Sequence, residues 1–250
     1  MKIDYIICLF ACDKIEKYRK EIRIINETWG KQCVNNIKIL YFLGEEKTDE
    51  FSGDSYINLK NVKDDYNSAS YKQFLGLKYI YENYQPKFVF CCGTDTFINI
   101  PKLLLLLQDF DPNDTLYIGG HGDGRKIGNK IYYFHSGGSG FIISSESLNK
   151  LYPILHNIMD QWIQICNYND VNNLICACDV AIAYYLQQPN INTKIIKKEN
   201  FFACNYQGYM FDTPCCLGKV IIKDIVSCHF MTTENCIDFN KILLENNFFV

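Results

Sequence analysis

Four short segments of this 250-residue chain combine residue types that can do chemistry. Gly93-Thr94-Asp95-Thr96 follows the apolar run Phe88-Val89-Phe90-Cys91-Cys92. A carboxylate just past a buried strand can hold a divalent cation against a nucleotide diphosphate, because hard oxygen ligands suit such ions. It can equally cap a helix expected from Pro101. Ser136-Gly137-Gly138-Ser139-Gly140, ahead of Phe141-Ile142-Ile143-Ser144, lacks Cβ atoms where a ligand or another backbone would approach closely. A tight strand connection is the other reading. Cys178-Asp179-Val180 opens a helical pattern, so Asp179 is either a general base or an ordinary helix-start carboxylate. Val226-Ser227-Cys228-His229-Phe230 ends an apolar run with a histidine, a metal ligand or a packed core residue.

These segments need elements to bring them together, and the periodicity supplies them. Residues 3–10 are nearly all apolar and read as a strand buried on both faces. Ile15, Tyr18, Ile22, Ile25 and Trp29 recur at steps of three and four, the pattern of an amphipathic helix closed near Gly30. Strands follow at 37–43 and 56–59, a helix at 71–84, and a buried strand at 87–92. Pro101 fits the first turn of a helix ahead of five leucines. In the second half, strands are expected at 115–118, 131–135, 141–144 and 220–230. Helices are expected at 147–162, from about 179, and at 233–244. Strand alternating with helix over the first 110 residues predicts an α/β fold with a mostly parallel sheet covered on both faces. Ligands of such sheets bind outside the carboxyl ends of the strands, which singles out 93–96. No repeat, linker or charge block divides the chain, so one domain is expected over 1–250.

Composition excludes several functions. The net charge is -3 with the 25 Lys and Arg scattered, so nucleic acid is not an expected partner. The longest early apolar run, 5–12, is far short of the ~20 residues that span a membrane. It also lacks the basic flank and cleavage site of a signal peptide, so a cytoplasmic location is expected. Thirty-two Ile and 24 Asn against 6 Ala reflect AT-rich codons, and assign no ligand. Thirteen cysteines include no C-x-x-C, which argues against a structural zinc site and leaves buried thiols as the default.

Taken in order, the segments resemble glycosyltransferase family 31, the Fringe-like β1,3-glycosyltransferases, with the core 1 β1,3-galactosyltransferase branch the nearer match. Glu27-Thr28-Trp29-Gly30-Lys31-Gln32-Cys33 is similar to T-W-G-K-R-C. Gly93-Thr94-Asp95-Thr96-Phe97-Ile98-Asn99 stands where the family has D-D-D-T-[FY]-V, and the Gly137 segment resembles S-G-G-A-G-Y-V-L-S. Cys178-Asp179-Val180 stands for [ED]-D-[VL], Ser227-Cys228-His229-Phe230 for S-F-H-Y, and Cys215-Cys216 for a C-C pair.

The resemblance implies a GT-A fold, with a Rossmann-like nucleotide-binding half over 1–110 and an acceptor-binding half over 111–250. It implies an inverting transfer from a UDP-sugar to a glycan or glycoprotein, with Mn²⁺ as cofactor. Asp95 and His229 then match metal ligands, and Asp179 the catalytic base. Gly137, Gly138 and Gly140 would lie against the donor sugar, with Arg23, Trp29, Lys72 and Thr94 beside the nucleotide. The chain departs from the pattern at Gly93, Thr94 and Cys178, each replacing an acid. A catalytically silent UDP-sugar- or glycan-binding module is the alternative reading. Family members usually reside in the Golgi lumen.

Overall fold

The computed structural model describes residues 2–45, 48, 50–215 and 220–248. Cys216 of the C-C pair lies outside them. The first half alternates as expected, with β1 (Tyr5–Phe10), α1 (Glu16–Glu27), β2 (Ile37–Leu43), β3 (Tyr56–Asn58), α2 (Ala69–Asn83) and β4 (Phe88–Cys92). Short β5 (Phe97–Ile98) leads into α3 (Ile100–Leu107), whose first turn takes Pro101. β6 (Leu116–Gly119), the hairpin β7 (Gly122–Ile127) and β8 (Lys130–His135), and β9 (Phe141–Ser144) follow. Helices α4 (Ser145–Leu151), α5 (Ile158–Tyr168) and α6 (Cys178–Leu186) precede β10 (Lys194–Lys197). The chain ends with β11 (Phe201–Phe202), β12 (Tyr209–Met210), β13 (Thr213–Pro214), β14 (Ser227–Cys228) and α7 (Thr233–Glu245).

Seven strands form the central sheet in the order β10-β6-β9-β4-β1-β2-β3. All pairings are parallel except those of β9, which runs against both β4 and β6. The period of two sorts side chains between the faces. Ile7 and Leu9 of β1 join the core under α1, α3 and α7, whereas Ile6 and Cys8 join the core under α2, α4, α5 and α6. A second sheet, β11-β14-β5, leans on the first of these layers.

Several elements differ from expectation, among them the unforeseen strands β5, β7, β11, β12 and β13. The helix expected at 147–162 is two helices: Pro153, which has no N–H to continue the helical ladder, lies in a 3-10 turn after Leu151, and α5 starts only past Asn157. The strand expected at 220–230 shrinks to Ser227–Cys228, with a 3-10 turn over Ile222–Asp224 where the polar pair Lys223-Asp224 interrupts the apolar run. Strand β10 escaped notice because Lys-Ile-Ile-Lys is a short, lysine-flanked edge, a design that discourages further pairing. The described cysteines are all free thiols. Among the described residues, no helix is long and apolar enough to cross a membrane.

A buried ion pair fastens the carboxyl ends of the first strands. Lys72 Nζ of α2 lies 2.7 Å from Asp64 Oδ1, and neither side chain is more than 2% exposed. The same ammonium donates to Ala11 O just past β1, at 2.6 Å. Asp64 in turn accepts from Gly44 N past β2, and from Asp13 N and Lys14 N. Removing one partner of a buried pair leaves an uncompensated charge, so Lys72→Met should cost about 3–5 kcal/mol, read as a lower urea midpoint. Burial alone would raise the Asp64 pKa, but Lys72 and the backbone donors outweigh it and hold it below the usual 3.8. The stability this supplies is present above the unfolded-chain pKa and drains as pH falls through the folded one. Acid destabilisation should therefore shrink or reverse in Lys72→Met; an unchanged acid limb would show that the pair is not its source.

Candidate active site

The strand order reverses direction between β1 and β4, and a cavity of about 450 Å³ opens at their carboxyl ends. Phe10, Ala11 and Cys12 bring the end of β1 to it, and Gly93, Thr94 and Asp95 the end of β4. Because β9 is antiparallel, the glycine segment that precedes it arrives at the same edge. Asp179 comes from the first turn of α6, and His229 from the end of β14.

The competing explanation for Asp95 falls away. The cap of α3 is Asn99, whose side chain accepts from Lys102 N. Asp95 Oδ2 instead lies 3.2 Å from His229 Nε2. Burial acts to raise the Asp95 pKa, but the imidazole outweighs it and holds the carboxyl below the ordinary 3.8. His229 is not a sealed core residue either, since its side chain is 17% exposed and faces the cavity.

Asp179 has a different environment. Burial pushes its pKa above 3.8, although its oxygens accept from Gly137 N at 3.0 Å and Val180 N at 2.9 Å. The residue at the helix boundary is Ala177, which contributes no side-chain cap. A carboxylate of raised pKa beside a cavity is a stronger base than a surface aspartate.

Two adjacent glycines space these groups. A Cβ on Gly137 would sit 3.2 Å from Asp179 Cβ, and one on Gly138 would fall 2.0 Å from His229 Cε1. Gly138 O is also held by Thr96 Oγ1 at 2.7 Å, which ties the glycine segment to the loop after β4. Gly140 does not line the cavity. Its φ of +78° and the ring of Phe90, 2.3 Å from where a Cβ would stand, make it the turn into β9.

The other expected nucleotide contacts scatter. Thr94 lines the cavity, but its hydroxyl is hydrogen-bonded to Glu21 Oε2 of α1. Lys72 also lines it, yet its ammonium is occupied by Asp64 and Ala11 O in the pair described above. Arg23 does not reach the cavity; it lies on the surface of α1, with Nε 2.5 Å from Glu50 and Nη1 3.0 Å from Glu16. Trp29 does not reach it either, being fully buried in the core under α1.

The structure adds groups that the motifs did not indicate. Glu21 is 94% buried by its 6% exposure, and burial raises its pKa despite the Thr94 hydroxyl. It supplies a carboxylate next to the loop where Gly93 and Thr94 replace two acids. The signal was that departure itself, which asks where compensating charge comes from. Lys17, Tyr18 and Tyr66 also line the cavity. At its mouth, Phe211 and Phe230 both adopt left-handed φ, +53° and +52°. Such backbone costs on the order of 1–3 kcal/mol per residue and gathers at ligand sites. Their rings pack at 4.5 Å, and Phe230 in turn lies 3.7 Å from the His229 ring.

A divalent cation such as Mn²⁺ would find an imidazole and a carboxylate side by side here, a donor set that suits it. Among the described residues, no group of three or more His, Cys, Asp or Glu side chains gathers to hold a metal alone. The pair therefore fits a cation whose remaining ligands come from a bound diphosphate or water.

Comparison with known proteins bears on the family and the fold. The family model described as Fringe-like matches residues 3–234. A glycosyltransferase involved in the glycosylation of the major capsid of PBCV-1 superposes with a TM-score of 0.51 at 13% identity, covering 94% of this chain and 98% of that one. Galactosyltransferase LgtC, in complex with donor and acceptor sugar analogues, gives 0.52 at 13% identity over 95% of each chain. The apo form of glycosyltransferase GlyE from Streptococcus pneumoniae gives 0.54 at 12% identity, over 99% of this chain and 63% of that one. At such identities the likeness is one of fold. With the family match over most of its length, the chain belongs to the Fringe-like family, a glycosyltransferase family, and is built on the GT-A fold.

Proposed function

We propose that this protein is an active inverting glycosyltransferase that moves a hexose or N-acetylhexosamine from a UDP-sugar to a hydroxyl of a glycan or glycoprotein, forming a β1,3 bond. The observation that carries this reading is the Gly137-Gly138 dipeptide. It separates a carboxylate of raised pKa, Asp179, from an imidazole–carboxylate pair, His229 and Asp95, within one cavity. Transfer between two oxygens needs that separation, with a base at the attacking end and charge stabilisation at the leaving end.

Asp179 accepts the acceptor's hydroxyl proton while the oxygen bonds to the anomeric carbon. The bond from that carbon to the diphosphate breaks, and its electron pair leaves with UDP. Lys17, which also lines the cavity, offers positive charge to that product. A divalent cation held by Asp95 and His229 would supply further positive charge to the diphosphate oxygens. Gly137 and Gly138 leave space for the sugar ring and fix how far it lies from Asp179. Holding both substrates in this cavity removes much of the entropic barrier to their encounter.

Asp179→Asn should lower UDP release in the presence of acceptor by about 10²–10⁴-fold, with UDP affinity by calorimetry unchanged. The acid limb of kcat/KM in the parent protein should fall as Asp179 protonates, at a pH above the 3.8 of an ordinary aspartate. Near-parental turnover in the Asn variant would place the base elsewhere.

UDP and Mn²⁺ together should raise the melting temperature more than the sum of either alone, because only together do they complete the metal's shell. Equal stabilisation by UDP in the presence of a chelator would sink the shared site. Gly138→Ala, whose methyl would overlap the His229 ring, should abolish the Mn²⁺-dependent part of that shift. Retention of the full Mn²⁺ effect would show that His229 is not a ligand.

A further inference from the structure

The hairpin at the mouth of the cavity is bracketed by two cysteines. Cys204 precedes it and Cys215 follows it, with β12 and β13 between them. Both are free thiols, and they are in hydrogen-bond contact across the base of the hairpin. We infer that Cys204 and Cys215 form a modification site for a small-molecule disulfide such as oxidised glutathione, and that their closure as a protein disulfide latches the hairpin carrying Phe211. The latch is independent of what the cavity binds.

A disulfide needs two residues that the backbone has already brought together. Cys215 N donates to Gly208 O at 2.6 Å, and Asn205 N to Tyr209 O at 2.8 Å, which closes the base of the hairpin on both sides. Access to the two sulfurs is unequal. Cys204 is only 1% exposed, and burial, with Cys215 beside it, pushes its thiol up to about 12. Cys215 is half-buried and is the sulfur a dissolved oxidant can reach. By contrast, Cys8 and Cys91 also touch, opposite each other on β1 and β4, but both are fully buried and sealed from such an oxidant.

The exchange balances with glutathione disulfide as the one oxidant. Cys215 loses its proton to solvent and attacks one sulfur of the glutathione disulfide, forming a mixed disulfide. The first glutathione leaves as a thiolate and is protonated. Cys204 then loses its proton as its sulfur attacks Cys215 Sγ, and the second glutathione leaves in the same way. Two protein thiols are oxidised by two electrons, and one glutathione disulfide is reduced to two thiols.

The hairpin gains from such a bond because little else holds it. β12 and β13 have two residues each, and a lone two-stranded ribbon of that kind is marginal in water. The left-handed backbone at Phe211 adds a further cost. Yet both ends of the hairpin bear on the site. At its tip Phe211 packs on Phe230, next to the His229 ring, and at its base Cys204 O accepts from His229 N at 3.1 Å. Closing the disulfide removes open forms of the hairpin, so Phe211 stays against Phe230. Reduction restores them.

The test equilibrates the folded protein in glutathione buffers of rising disulfide content. Mass spectrometry then maps the linkages and the amide hydrogen exchange of residues 205–215. A Cys204–Cys215 linkage is expected, with hairpin exchange slowed about tenfold, or ~1.4 kcal/mol, and dithiothreitol should reverse both. Cys204→Ser and Cys215→Ser should each abolish the slowing, and Cys216→Ser should leave it intact. The Cys215 variant decides the matter alone if serine at the buried Cys204 prevents folding. The inference is overturned if the folded protein forms no Cys204–Cys215 linkage, if Cys215 joins Cys216 or stays capped by glutathione, or if the hairpin exchanges equally fast in both forms. Slowing that survives in Cys215→Ser, or is lost in Cys216→Ser, overturns it as well.

Discussion

The arrangement depends on one buried charge pair. Lys72 and Asp64 lie behind the cavity and between them hold the chain just past β1, the chain just past β2, and the approach to α2. Taking both charges out of water is unfavourable, and hydrophobic residues of the same volume would often stabilise a core as well. What the ions provide is directional. An ammonium with a fixed set of acceptors, facing a carboxylate with a fixed set of backbone donors, admits one relative placement of two strand ends and the approach to α2. A greasy contact would tolerate sliding. The rim of the cavity cannot, because Ala11 and Cys12 line it directly.

The site itself shows a similar exchange of stability for placement. Asp179 is held where burial opposes its ionisation, and two phenylalanines occupy backbone conformations that favour glycine. These costs are local and are offset by layers of well-filled core on both faces of the sheet. Thr96, Ser139 and Ser227 then link the loop after β4, the glycine segment and β14 through hydrogen bonds to backbone carbonyls. The groups of the cavity thus come from four separate parts of the chain and are positioned by main-chain contacts.

Much of this was legible in the sequence, for reasons that can be named. β2 and β9 have the bounds expected of them because apolar runs bordered by polar residues leave no other choice. That Asp95, Asp179 and the paired glycines border one cavity follows from the clear patterns of the elements they adjoin, whereas His229 ends a strand expected over 220–230 that shrinks to Ser227–Cys228. Arg23 and Trp29 were misplaced because a helical period fixes a face, and says little about which end of a sheet that face overlooks. Lys72 was placed at the cavity, but nothing local in the sequence showed that Asp64 had claimed its charge. Glu21 stayed hidden for a complementary reason: it lies between apolar positions of α1, where a charge reads as part of the solvated side. The left-handed backbone of Phe211 and Phe230 has no signature in residue type, since glycine or asparagine would be expected there.

The reversed strand also bears on the order of assembly. β9 hydrogen-bonds to β4 on one side and β6 on the other, with no other neighbour. As the chain leaves the ribosome, β3, β2, β1 and β4 can pair with one another while β9 is still unmade. The open edge of β4 then waits through some fifty residues, from Cys92 to Phe141. Only when β9 inserts do Gly137 and Gly138 arrive, and α6 with its carboxylate emerges later still. A nascent or truncated chain therefore presents the β1 and β4 side of the cavity well before it has the groups that complete it. Such an unpaired central strand is the part of the molecule most in need of shielding during synthesis.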